Sequence, residues 1–257
     1  MLQSDSHFLP CSHLPGFWQN QVMSAPVLFA LLSGLLPIIA AHAAYLVNVS
    51  VGSGIEAEFI CLPYFDGCVS ISRAARSGPG LMLFRALMLP TVIFLLLSWE
   101  AVRKWLLTLD VCSSRRAWTI AGLGLVGALF LVLYVTALGT EGEWYRWQRR
   151  YGVFVYFGGT ALAQLLLVSV LWPARRQRVA GELLAPIATL TALVSLQWTL
   201  GVFSAFKRLI FDDPALIDRI ENIIEWWYAL PMATGFIVIA WLFSRTPAQP
   251  GSRNLPV

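Results

Sequence analysis

Six long apolar stretches fill most of this chain, and no soluble fold can bury them all. A helix needs about 20 consecutive apolar residues to cross a hydrocarbon core of about 30 Å. The stretches lie near 25–47, 81–102, 117–139, 151–172, 183–206 and 221–243. Backbone groups in lipid have no water to bond, so each stretch is forced into a helix. A membrane barrel would instead show alternating segments of about 10 residues. The expected fold class is therefore all-α, a polytopic transmembrane bundle of six helices. It forms one membrane domain over 25–243, with short flexible extensions at 1–24 and 244–257.

Charge supports this reading. Only 12% of the residues are charged, against about 25% in a soluble globular chain, and the mean hydropathy is +0.68. The net charge of +4 is carried by basic runs that flank the spans, where they meet headgroups, so nucleic acid is not an expected partner. Many of the 11 tryptophans also sit near span ends, where amphipathic rings favour the interface. Gly122, Gly124 and Gly127 in the third span, and Gly158 and Gly159 in the fourth, are expected to permit close helix packing. Pro37, Pro90, Pro186 and Pro231 mark expected bends. No internal repeat is visible, which weighs against an inverted-repeat carrier.

Residues 1–24 contain no Lys or Arg, and translation from Met23 is an alternative to Met1. Ala41-His42-Ala43 resembles a signal-peptide cleavage site, but the positive region that should precede it is missing. Positive residues divide almost evenly between the two faces, so they orient the chain weakly. Cys61 and Cys68 either close a small disulfide loop or are two unrelated cysteines. A disulfide would favour an outward first loop and cytoplasmic termini. Cys11 and Cys112 look unpaired, and no Cys or His spacing points to a metal or other cofactor.

Ionisable residues intrude on the apolar stretches near one end of the bundle. They include His42, Arg85, Glu221 and Glu225. Asp218, Glu221, Asn222 and Glu225 follow i, i+3, i+4, i+7 and are expected to share one helix face. Arg85 facing Glu221 or Glu225 would offset both desolvation costs. The functional reading is an outer-leaflet polar cavity lined by His42, Arg85, Asn222 and Glu225. Arg85 would hold a phosphate and His42 would act as general base. The plainer readings are that Glu221 favours its helix N-terminus, Arg85 snorkels and His42 packs. Glu100 and Arg103 read as an interfacial pair, and Gln164 and Gln197 as interhelical glue. The run Arg175, Arg176, Arg178 reads as a topological anchor.

Three segments carry a family resemblance: C-L-P-Y-F-D-G-C-V-S-I-S at 61–72, R-R-Y-G-V-F-V-Y-F at 149–157 and E-N-I-I-E-W-W-Y-A-L at 221–230. Together with Pro79, Arg85 and Pro90 they resemble the FRAG/DRAM/SFK membrane family, over residues 25–243. That family includes a protein that remodels lipid on GPI anchors. Pro63, Tyr64 and Asp66 match part of one loop pattern of the family, and Ser70 and Ser72 part of another. Arg85 matches the arginine after the loop, and Glu225 the glutamate before an aromatic residue in the last span. The sequence departs from the pattern in having no Ser before Asp66, and Arg150 where a histidine is found near the fourth span.

The resemblance implies an outward first loop and work on or beside membrane lipid. Arg85, Glu221, Asn222, Glu225, Ser70, Ser72 and Arg150 are the expected binding residues, with His42, Asp66 and Glu225 as candidates for any acid–base step. Membrane lipids are the expected partners. A non-catalytic scaffold that binds a partner membrane protein is the alternative. The Arg, Ala and Trp content and compact loops suit a bacterial inner-membrane protein.

Overall fold

The computed structural model describes residues 17–51, 61–175 and 181–246, with side chains from Ala25 onward. Six long helices span the membrane, making this an integral multi-pass protein. They are α1 (Phe17–Val51), α4 (Gly78–Thr108), α5 (Ser114–Ala137), α6 (Glu143–Ala174), α7 (Leu184–Phe206) and α8 (Pro214–Arg245). Two short helices, α2 (Pro63–Asp66) and α3 (Ile71–Ala74), fold within the first loop. No strand occurs among the described residues.

The helices run past the expected boundaries, because polar ends continue the helical ladder beyond the apolar window. α1 begins at Phe17, ahead of the expected start at 25. α8 has 32 residues, about 48 Å of helix, which is more than a hydrocarbon core requires. Backbone hydrogen bonding carries α1, α4 and α8 through Pro37, Pro90 and Pro231, whereas Pro186 sits in the first turn of α7. Residues 1–16 and 247–257, with Cys11, Arg176 and Arg178, lie outside the described residues.

The helices close into a ring. α1 packs on α4, α4 on α5, α5 on α6, α6 on α7, α7 on α8, and α8 back on α1. The tightest fits use small residues. A Cβ on Gly124 would lie 2.2 Å from the Trp99 ring, and one on Gly159 would lie 2.9 Å from the Leu123 carbonyl. A Cβ on Gly127, in the α5–α6 seam with Gly159, would lie 3.2 Å from the Tyr156 carbonyl. Gly122 and Gly158 do not pack as expected. They face open space, since a glycine one residue out of register points away from the seam. Trp99 is fully buried and meets Phe236 edge to face at 5.3 Å, joining α4 to α8.

The two ends of the ring differ. At the end away from the first loop, Arg103 forms the expected pair with Glu100 and stacks over Trp118 at 4.3 Å. Trp105 donates its indole N–H to Thr246 Oγ1 at 3.0 Å. Arg175 lies over Trp172 on the same face. The opposite end is covered by the loop.

Candidate functional site

The first loop is a plate bonded to α1 and α8. Cys61 and Cys68 form a disulfide, with Cα atoms 6.4 Å apart. The plate turns at Gly67, whose φ of +61° suits glycine, and an added Cβ would lie 2.2 Å from the Arg219 carbonyl. Its backbone carbonyls are taken by side chains of α8. Asn222 Nδ2 donates to Gly67 O at 2.8 Å, Trp226 Nε1 to Val69 O at 2.9 Å and Trp227 Nε1 to Tyr64 O at 2.9 Å. Arg219 Nε donates to Asp66 O at 3.1 Å. From α1, Asn48 donates to Ala74 O and Ser77 O and accepts from the Gly80 N–H. Tyr45 bonds both the N–H and the carbonyl of Cys61.

Beneath this plate, inside the ring, lies a cavity of about 50 Å³, room for several water-sized groups. Tyr64 and Ile71 roof it. Its walls come from α1 (Pro37, Ile38, Ala41, His42), α4 (Phe84, Met88), α5 (Tyr134), α6 (Tyr156, Phe157) and α8 (Glu225 to Ala233). The lining is mostly apolar and aromatic, and no Lys or Arg belongs to it among the described residues.

His42 is fixed at both nitrogens. Nδ1 lies 2.7 Å from the Ile38 carbonyl, which can only accept, so Nδ1 carries a proton. In the neutral ring Nε2 therefore accepts from the Tyr64 hydroxyl, at 3.0 Å. Burial pushes the Tyr64 phenol above its ordinary pKa, which keeps that donor protonated. Trp226 packs edge-on against His42 at 5.3 Å.

Glu225 reaches the cavity from α8 and is partly buried. Its Oε1 accepts the Ser72 N–H at 3.2 Å, and Oε2 has no hydrogen-bond partner among the described residues. Tyr134 and Tyr156 are 5% and 4% exposed, and both line the cavity. Neither hydroxyl bonds another described group, and Tyr134 lies within electrostatic reach of Glu225 and Tyr156.

The other expected site residues stand elsewhere. In place of the expected pairing with Glu221 or Glu225, Arg85 donates to the carbonyls of Val135, Thr136 and Leu138. These groups at the end of α5 lack partners within the helix, and the negative end of its dipole attracts a cation. Arg149 bonds the same terminus at Ala137 and Thr140, and Arg150 is exposed. Glu221 pairs with Lys207 and accepts from Ser204, so it is bound to α7 and the turn that follows.

Asp66 accepts the Leu62 N–H at 2.8 Å and stabilises the turn of α2. Ser70 caps α3 by accepting from the Arg73 N–H, and its hydroxyl lies 3.3 Å from that of Ser72. The expected acidic stripe is thus divided. Asp218 meets Arg73, Glu221 meets Lys207, Asn222 meets the plate, and only Glu225 faces the cavity. Adjacent residues on a helix point about 100° apart, which sends Glu221 and Asn222 to different neighbours.

Deeper in the ring, Gln164 donates to Met232 O at 2.9 Å and joins α6 to α8, and Gln197 is fully buried in α7. Cys112 is a free thiol, and no cluster of His, Cys, Asp or Glu suited to a metal occurs among the described residues. Tyr134, Tyr156 and Trp226 are cavity residues that polarity alone did not reveal. Their signal is a tyrosine set inside an apolar span, whose hydroxyl needs a partner when buried. Comparison with protein-family models, curated proteins and solved structures yields no match.

Proposed function

We propose that this protein binds a membrane amphiphile, the head or chain of a lipid, in the cavity beneath the disulfide-closed plate. The observation that carries the proposal is the lining. Mostly apolar walls from five helices meet a short set of polar groups, Glu225, Tyr134, Tyr156 and the His42–Tyr64 pair. Mostly apolar sites with a few convergent polar groups are the usual form of small-molecule pockets. The resemblance to a lipid-associated membrane family supports the same reading. Arg85 takes no part in it, because α5 occupies its guanidinium. A disulfide persists in oxidising compartments, which supports a non-cytoplasmic plate and a cytoplasmic far end of the ring.

The test is lipid carried through purification. Wild-type protein in mild detergent should retain about one lipid per chain by mass spectrometry. Ala229→Phe, which fills the cavity from α8, should lose it without losing the folded bundle. Equal lipid on both proteins would contradict the proposal.

A further inference from the structure

We infer that the cavity selects an amphiphile with an ammonium head. This rests on the cavity being a binding site and adds the class of ligand. Three hydrogen-bonding groups enter the cavity without partners among the described residues: the Glu225 Oε2 atom and the hydroxyls of Tyr134 and Tyr156. A carboxylate oxygen accepts only, and a tyrosine oxygen can accept, so the set is matched by a group rich in donors.

Among the described residues, Glu225 is the only carboxylate in the lining, and no Lys or Arg belongs to it. Of the basic residues in the plate, Arg73 pairs with Asp218 and Arg76 is exposed; both lie within electrostatic reach of Glu225, but neither lines the cavity. A carboxylate withdrawn from water is favoured when a cation accompanies it. Phe84, Tyr134, Tyr156, Phe157, Tyr64 and Trp226 surround the same space. Faces of such rings attract ammonium groups electrostatically, and the attraction grows where water is excluded. An anionic head would meet the Glu225 carboxylate and no basic side chain among the described lining residues. Pro37, Ile38, Met88, Leu230 and Ala233 supply apolar surface for the first methylenes next to the head.

Hexadecylamine, hexadecanol and hexadecanoate share one chain and differ in the head. They are titrated against the full chain in uncharged maltoside micelles by calorimetry. The amine should bind about tenfold tighter than the alcohol, as expected for a charge-assisted hydrogen bond, and the hexadecanoate weakest. Glu225→Gln should reduce the amine to the affinity of the alcohol and leave the alcohol unchanged. The amide oxygen can still accept the Ser72 N–H, so the plate stays attached in that variant. Removal of both hydroxyls, in Tyr134→Phe with Tyr156→Phe, should weaken the amine about threefold.

Equal binding of amine and alcohol, or an amine preference that survives Glu225→Gln, would overturn the ammonium assignment and leave the cavity as a chain site. If none of the three binds wild-type protein, or if all bind Ala229→Phe as well as wild type, the cavity reading itself fails along with it.

Discussion

Arg85 and Glu225 both interrupt apolar helices, but they face different surroundings. The Arg85 guanidinium fans across three carbonyls at the end of α5, groups that no helix can satisfy for itself. Arg85→Ala is expected to destabilise the bundle by about 1–3 kcal/mol, because carbonyls set in the membrane lose their donor. Melting in detergent should show that loss, with lipid retention unchanged once the protein is folded. Arg85→Lys should recover only part of the stability, since an ammonium cannot reproduce the planar fork. Glu225 is different: one oxygen is held by the plate and the other faces the cavity. Sequence polarity could flag both residues as intruders in apolar helices. It could not separate them, because a helix terminus and a cavity both attract charge and only their placement in the fold tells them apart.

The first loop and α8 form one unit. The plate buries Val69, Ile71, Ala74 and Ala75 in the core of the bundle and is held further by the disulfide and by donors from Arg219, Asn222, Trp226 and Trp227. Closing a loop this short by a disulfide is worth about 2–3 kcal/mol in the chain-entropy account. Cys61→Ser with Cys68→Ser should lower stability by about that amount. Hydrogen exchange at residues 62–68 should quicken while the spanning helices stay protected. Exchange unchanged in the plate would show that the α8 bonds hold it alone.

Much of this unit was hidden in the sequence for a physical reason. The polar residues at the start of α8 look like an acidic stripe aimed at a ligand. Most of them bond loop backbone or α7, because an irregular loop carries unpaired carbonyls that must be met near the membrane. The cysteine spacing left pairing open, whereas the fold brings the two sulfurs together around the Gly67 turn.

At the scale of the molecule, six helices were legible from hydropathy alone, since lipid allows the backbone little else. Their ring order was not, because every span has a similar apolar surface and the seams are set by single small residues such as Gly124, Gly127 and Gly159. The ring matters for function because it leaves a space at one end, closed above by the plate and walled by α1, α4, α5, α6 and α8.

Photo-crosslinking reads directly whether a lipid enters that space. A lipid with a diazirine on its chain, irradiated with the protein in a bilayer, should label the cavity peptides around Ile38, Met88 and Met232 at about one lipid per chain. Ala229→Phe should suppress that labelling and leave the outward residues Leu28, Leu35 and Met82 unaffected. Labelling confined to the outward residues, or cavity labelling unchanged in Ala229→Phe, would show that no lipid occupies the cavity.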